Sequence, residues 1–253
     1  MRIVVKVGSA VLTQDGEIAR ERMQELVTFL CELKKENEVI LVSSGAVSAG
    51  YTVLQLDRKI IKNKQALAAL GQPILMKKYT EKFEKNNILC SQVLVTSANL
   101  EKEDDIQRIK NTVEVLLENN VIPIVNENDA TSTDELEVGD NDQLSAYIAK
   151  SLNAEILIIL SDIDAYYDSD PHTNTGANIV KIVRSIPQSE LIKVVTPNNI
   201  FATGGIVTKL KAANYLFDSD IDMFLASGFD LSDVKSFTLD RVHKGGTLFS
   251  KEN

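Results

Sequence analysis

Short apolar runs along the chain alternate with longer segments whose apolar residues recur every three or four positions. Residues 2–7 (RIVVKV), 39–44 (VILVSS), 88–95, 121–126 (VIPIVN), 155–160 (EILIIL), 221–226 (IDMFLA) and 247–250 (TLFS) have strand length and are rich in Val, Ile and Leu. Between them, Ile18, Met23, Leu26, Val27, Leu30 and Leu33 share one helical face within 18–36. The same spacing holds for Ile106, Ile109, Val113, Leu116 and Leu117 in 105–119 and for Leu144, Tyr147, Ile148 and Leu152 in 141–152. It recurs for Ile206, Leu210, Ala213 and Phe217 in 205–218. Residues 60–85 also read as helix, but Gly71 and Pro73 interrupt the pattern and predict two pieces. A small excursion or hairpin is predicted over 131–138.

EILIIL hardly alternates between apolar and polar positions, as expected of a parallel strand covered on both faces. Strands that alternate with helices predict an α/β sandwich around a mostly parallel sheet. No repeat, low-complexity stretch or flexible linker divides the chain, so residues 1–253 are expected to form one domain. In such sheets ligands bind beyond the carboxyl ends of the strands. The residues that follow each strand are therefore where chemistry is to be sought.

Bulk properties narrow the classes. The composition, 44% hydrophobic and 25% charged, is that of an ordinary globular protein. A net charge of −9 argues against a nucleic-acid partner, which needs a basic surface. No stretch approaches the roughly 18 apolar residues of a membrane span, and the first strand does not resemble a signal peptide, so a cytoplasmic location is expected. Cys31 and Cys90 suit reduced core positions better than a disulfide framework. His172 and His243 lie in loop-like segments, read as exposed, and make a poor zinc set.

The strand ends are chemically distinctive. Strand one ends at Lys6, with Gly8 and Ser9 behind it, a lysine and glycine without the Walker A spacing. SSGAVSAG (43–50) offers two hydroxyls and a glycine leading into a helix. NENDA (126–130) follows the 121–126 strand, and VGDNDQLSA (138–146) opens the next helix. Ser161 and Asp162 follow EILIIL, and ATGGIVTK (202–209) places Lys209 early in a glycine-led helix. Each piece has a plain structural alternative: Ser44 as an N-cap, Asp140 and Asn141 as caps, NENDA as a turn, Lys209 on a solvated face. Taken together they favour an anionic ligand. Two lysines, glycine turns and helix N-termini without a paired nucleophile suit phosphoryl transfer, where the protein positions groups and neutralises oxygen charge.

In this order, KVGSAVL (6–12), SSGAVSAG, KQALAALGQ (64–72), NENDA, VGDNDQLSA, LSDIDAYYDSDP (160–171), ATGGIVTKLKAA (202–213) and GGTLF (245–249) resemble the amino acid kinase family over nearly the whole chain. NENDA with GDND, and ALGQ, are similar to the branch that phosphorylates the side-chain carboxylate of L-glutamate, the first step of proline synthesis. The resemblance implies a three-layer α/β/α sandwich, with the amino acid over the N-terminal half and ATP over the C-terminal half. It implies that Lys6 and Lys209 flank the transferred phosphoryl group and that Asp142 holds both lysines. Ser44, Gly45, Ala46, Asp129 and Asn141 would bind the amino acid. Lys6, Gly8, Ser9, Ser161, Asp162 and the turn Thr203, Gly204, Gly205, Ile206, Val207, Thr208 and Lys209 would bind ATP. Mg²⁺ would ride on the ATP phosphates, with no protein ligand assigned.

The family further implies a homodimer or homotetramer, and proline as a feedback inhibitor acting near 131–138. Two departures stand out. The chain ends shortly after GGTLF, so the PUA domain that many members of this branch carry is not expected. Asp164-Ala165 stands where Lys-Gly is commoner, which bears on the nucleotide base. Other members act on N-acetylglutamate, aspartate, carbamate or UMP, and some serve as non-catalytic sensors. The acids of NENDA and GDND suit a free α-amino group, and no extra phosphate pocket for UMP is evident.

Overall fold

A computed structural model describes residues 1–132, 141–171, 173–192 and 205–251. Its centre is an eight-stranded sheet in the order β5-β6-β4-β1-β7-β9-β10-β8. The strands are β1 Arg2–Val7, β4 Glu38–Val42, β5 Cys90–Val95, β6 Ile122–Glu127, β7 Ile156–Ser161, β8 Ile182–Val183, β9 Asp222–Ser227 and β10 Thr247–Phe249. All neighbours pair in parallel except β10 with β9. Two two-residue strands, β2 Thr13–Gln14 and β3 Glu17–Ile18, form a small hairpin that the apolar pattern did not reveal. Ile18, expected to begin the first long helix, belongs to this hairpin, and the helix runs Arg20–Leu33.

The two faces of β1 organise the molecule. Ile3, Val5 and Val7 pack with Met23, Leu26, Phe29 and Leu30 and with Leu75, Tyr79 and Phe83. Val4 packs on the opposite face with Leu144, Ile148, Leu210 and Leu216. Successive side chains of a strand point to opposite faces, so Lys6, two residues beyond Val4, is directed to the Leu144–Leu210 side. The charged residue in this apolar strand is thus aimed at the helices Asn141–Ser151 and Ile206–Phe217.

Residues 60–85 are not two helices but one, Ile61–Glu84, with Pro73 inside it. Pro73 is exposed, so the carbonyl its missing N–H leaves free lies on the side that water can reach. Gly71 is not a break but a contact point. A Cβ there would stand 1.8 Å from the Ala46 carbonyl oxygen and 2.3 Å from the Gly50 nitrogen, and one at Gly50 would stand 1.9 Å from the Leu67 oxygen. Helices Ala46–Tyr51 and Ile61–Glu84 therefore cross backbone to backbone. Gly71→Ala is expected to lower stability by about 2 kcal/mol or more, because the obstructing atoms are main chain and cannot rotate away. Urea unfolding at neutral pH measures this, and a wild-type midpoint would refute the close-crossing account.

The remaining expectations resolve simply. Tyr147 is half-buried, meeting Tyr215 edge-on at 4.6 Å. Cys31 and Cys90 are free thiols, with burial pushing Cys31 up to about 11. His243 is half-buried rather than exposed, set edge-on against the stacked Phe224 and Phe237. His172 lies outside the described residues, as does nearly all of 131–138. No helix among the described residues is long and apolar enough to cross a membrane.

Candidate active site

Lys6 stands near the carboxyl end of β1, between Val42 of β4 and Ile159 of β7 in register. The earlier strands β4, β6 and β5 extend the sheet on one side of β1, and β7 and β9 on the other. This reversal leaves a crevice beyond the strand ends. Asp142 enters it from the first turn of the helix Asn141–Ser151, and Lys209 from the first turn of the helix Ile206–Phe217. The Lys6 ammonium donates to Asp142 Oδ1. Lys209 Nζ lies 3.1 Å from Oδ2, and Thr208 Oγ1 donates to the same oxygen at 2.7 Å. Lys6, Asp142 and Lys209 are only 6%, 1% and 2% exposed, so three charges share one desolvated cluster.

Burial alone would raise the pKa of Asp142. The charges of Lys209 and Lys6, with bonds from Lys6 and Thr208, outweigh it and hold the carboxyl well below the usual carboxylate range. The carboxylate also sits at a helix N-terminus, where the backbone dipole favours an anion. Its role in the sequence reading, a charge that holds two lysines, matches this geometry.

Next to it, Asn141 Nδ2 donates to Ser44 Oγ at 2.6 Å, joining the turn after β4 to the start of the Asp142 helix. Ser44 is therefore not an N-cap: the helix Ala46–Tyr51 begins behind Gly45 without a side-chain cap. Gly45 has φ +99°, a left-handed conformation that a side chain would strain. Ser43 is fixed from below by Tyr79, with 2.9 Å between hydroxyls.

Asp129 is buried, and its Oδ1 has no hydrogen-bond partner among the described residues. The same holds for Ser132 Oγ and Asn141 Oδ1. Burial first, then the charge of Glu127, push Asp129 up to about 7, with Lys64 partly opposing them. Buried polar atoms without partners in a native fold call for an explanation, and a polar ligand is one. Glu127 entered the sequence reading only as one of the acids of NENDA, and Lys64 was not singled out. Lys64, Ala68, Gly71 and Leu75 lie at helical spacing, which was the available signal for Lys64.

On the other flank, Gly8 N–H donates to the Leu160 oxygen at 3.0 Å and so is not offered to an anion. A Cβ at Gly8 would lie 3.9 Å from Lys6 Nζ, so the missing side chain keeps space open beside the ammonium. Ser9 opens the four-residue helix Ser9–Leu12. Ser161 Oγ donates to Asp162 Oδ1 at 2.9 Å, and neither shows a contact with the Lys6–Asp142–Lys209 cluster. Gly205 caps the Lys209 helix with its carbonyl oxygen 2.9 Å from Thr208 Oγ1, Ile206 is half-buried, and Val207 is buried. Thr203 and Gly204 lie outside the described residues. Among the described residues no group of three His, Cys, Asp or Glu side chains is placed to hold a metal.

Two buried lysine ammoniums sharing one carboxylate at the carboxyl edge of a mostly parallel sheet define an α/β protein with a buried charged cluster. The chain belongs to the amino acid kinase family, whose model matches residues 1–227. It is 49% identical over 248 residues to a glutamate 5-kinase of Leishmania donovani, covering 98% of this chain and 94% of that one. It is 50% identical over 253 residues to a glutamate 5-kinase of Wolinella succinogenes, covering 98% and 97%. Among solved structures, an isopentenyl phosphate kinase superposes with a TM-score of 0.69 at 15% identity, over 99% of this chain and 100% of that one, a likeness of fold.

The Asp129 site has a consequence for stability. An acid whose folded pKa lies above its unfolded value of about 3.9 destabilises the fold when ionised. The loss starts as pH rises past about 4 and is complete above about 7. Ligand-free Asp129→Asn should therefore be more stable than wild type at pH 8, with the difference vanishing near pH 4. Urea midpoints across this range test it, and a difference independent of pH would contradict it.

Proposed function

We propose that the protein transfers the γ-phosphoryl group of ATP to the side-chain carboxylate of L-glutamate, forming L-glutamyl 5-phosphate, the first step of proline synthesis. The observation that carries the reading is the Lys6–Asp142–Lys209 cluster together with a buried Asp129 whose Oδ1 has no partner among the described residues. The identity to glutamate 5-kinases supports the choice of acceptor.

The acceptor carboxylate has a pKa of about 4.3 and is already ionised at neutral pH, so the reaction needs no general base. Its oxygen bonds to the γ-phosphorus while the bond from that phosphorus to the β–γ bridging oxygen breaks, and ADP leaves. The obstacle is repulsion between a carboxylate and a polyanion. Lys6 and Lys209 flank the transferred group and neutralise its oxygens, with Asp142 fixing where the ammoniums sit. The amino acid lies over the N-terminal half, held by Ser44, Gly45, Ala46, Asn141 and Asp129, whose carboxylate receives the α-ammonium. ATP lies over the C-terminal half, against Gly8, Ser9, Ser161, Asp162 and the turn through Lys209. Mg²⁺, if it accompanies ATP, would neutralise phosphate charge without a ligand from Asp142, both of whose oxygens are engaged by Lys6, Lys209 and Thr208. Proline, similar to the acceptor in its α-carboxylate and amine, acts as an inhibitor, which unchanged kinetics in millimolar proline would rule out.

The deciding assay traps the acyl phosphate with hydroxylamine and compares L-glutamate, N-acetyl-L-glutamate and L-aspartate, with UMP phosphorylation followed in parallel. Preference for free L-glutamate is expected, and turnover of another acceptor instead would overturn the assignment. Lys209→Ala should abolish turnover while leaving glutamate binding detectable by calorimetry. Surviving turnover would remove Lys209 from its role.

A further inference from the structure

A chain of side-chain amides lies behind the acceptor half of the site. Asn126 Nδ2 donates to Gln72 Oε1 at 2.8 Å, and Gln72 Nε2 donates to Gln92 Oε1 at 2.8 Å. At the inner end, the Glu127 backbone N–H donates to Asn126 Oδ1 at 3.0 Å. A backbone N–H can only donate, so it fixes the direction of the whole chain: Asn126 must turn its oxygen to Glu127 and its nitrogen to Gln72, and Gln72 must answer with its oxygen. Asn126 and Gln72 are 1% and 8% exposed, whereas Gln92 lies on the exposed face of the edge strand β5.

The location explains the need. Strand β6 pairs with β4 only through Ile124 and Val125, with Ser43 N–H extending the ladder to the Val125 oxygen. Asn126 and Glu127 run on beyond it, paired among the described residues on one side alone, with Leu94 and Val95 of β5. On the open side the Glu127 N–H would lack a partner in a buried place, and the Asn126 amide supplies one. The next residues turn: Asn128 N–H bonds the Val95 oxygen at 2.7 Å, and the N–H groups of Thr131 and Ser132 both reach the Asn128 oxygen. Asp129 is presented by that turn.

We infer that Gln72 is a positioning residue for the acceptor: through Asn126 it fixes the backbone of Glu127 and hence where the Asp129 carboxylate meets the substrate amine. It touches neither substrate nor nucleotide. The inference rests on the proposed acceptor reading, since it assigns Gln72 to the binding of the amino acid and not to the phosphoryl cluster. Met at position 72 would keep the length of the side chain and lose both hydrogen bonds. Leu at position 92 removes only the outer link, on a surface where folding is not at stake.

The test is steady-state kinetics on the full chain with L-glutamate and ATP varied in turn, together with hydrogen exchange at the Glu127 amide. Gln72→Met should raise KM for L-glutamate about tenfold with kcat and the KM for ATP within about twofold of wild type. Gln92→Leu should move the same constant in the same direction by a smaller factor, and both variants should lose protection at Glu127. Equal falls in kcat for both variants, or an unchanged glutamate KM in folded Gln72→Met, would overturn the inference. If Gln72→Met does not fold, Gln92→Leu decides alone by the same two constants. A wild-type enzyme that ignores L-glutamate refutes the acceptor reading itself. Exchange at Glu127 then judges the amide chain by itself, unchanged protection in both variants refuting it.

Discussion

One carboxylate holding two lysines out of water is the constraint on which the rest of the arrangement depends. Taking charges into a low-dielectric interior is costly, and a buried ion pair repays the cost only with good geometry and satisfied hydrogen bonds. Both oxygens of Asp142 are used, one by Lys6 and the other by Lys209 and Thr208. Loss of the carboxylate would leave two buried cations facing one another, and breaking such a pair from one side costs about 3–5 kcal/mol. The cluster brings together β1, the helix Asn141–Ser151 and the helix Ile206–Phe217, so the sequence separation between its members is large. Its geometry therefore exists only once the sheet has assembled.

The helix Ile61–Glu84 does for the acceptor half what the sheet does for the cluster. From one buried face it sends Gly71 against the turn that follows β4, Gln72 to the end of β6, and Tyr79 to Ser43. Gln72 and Tyr79 lie two turns apart and Gly71 adjoins Gln72, all three buried, so a single rigid element sets the relative position of the Ser43–Ala46 and Asn126–Asp129 turns. The tight crossing at Gly71 and Gly50 removes the freedom that a layer of larger side chains would leave. An unbroken helix is what this requires, and the exposed position of Pro73 makes it compatible with proline.

Much of this was legible in the sequence, for identifiable reasons. The unalternating apolar runs of β1 and β7 reported burial on both faces, and the sheet is mostly parallel. Lys6 and Lys209 stood out as lysines beside glycine-bearing strand and helix ends, whereas Asp142 was marked only by the resemblance to the amino acid kinase family. Other features were not legible. Gly71 carries the same letter whether it breaks a helix or admits a neighbouring backbone, and only the partner at Ala46 and Gly50 distinguishes the two. His243 looked exposed because a loop-like sequence does not show that Phe224 and Phe237 stack beside it. Lys64 became visible as a charge near Asp129 only in the structure, since that proximity joins separate elements, and its helical spacing marks only the face it lies on.

The two halves of the site are electrostatically unlike, and the difference bears on how they bind. The cationic half already has a counter-ion: Asp142 occupies the lysines. An arriving phosphoryl group must compete with that carboxylate, gaining the difference between two anions and not the full attraction of free ammoniums. The anionic half is less well compensated. Asp129 is buried beside Glu127, with Lys64 only partly offsetting their repulsion, and the carboxyl is pushed up to about 7. A substrate ammonium placed there would relieve a charge the fold itself disfavours, so its contribution to affinity is large for a single contact. On the proposed reading, selectivity for a free amine over an acylated one would need no steric gate, because an amide nitrogen brings no charge to Asp129. On the same reading the cationic half, balanced in advance, would contribute position more than affinity, and its effect would be felt when the phosphoryl group is between acceptor and nucleotide.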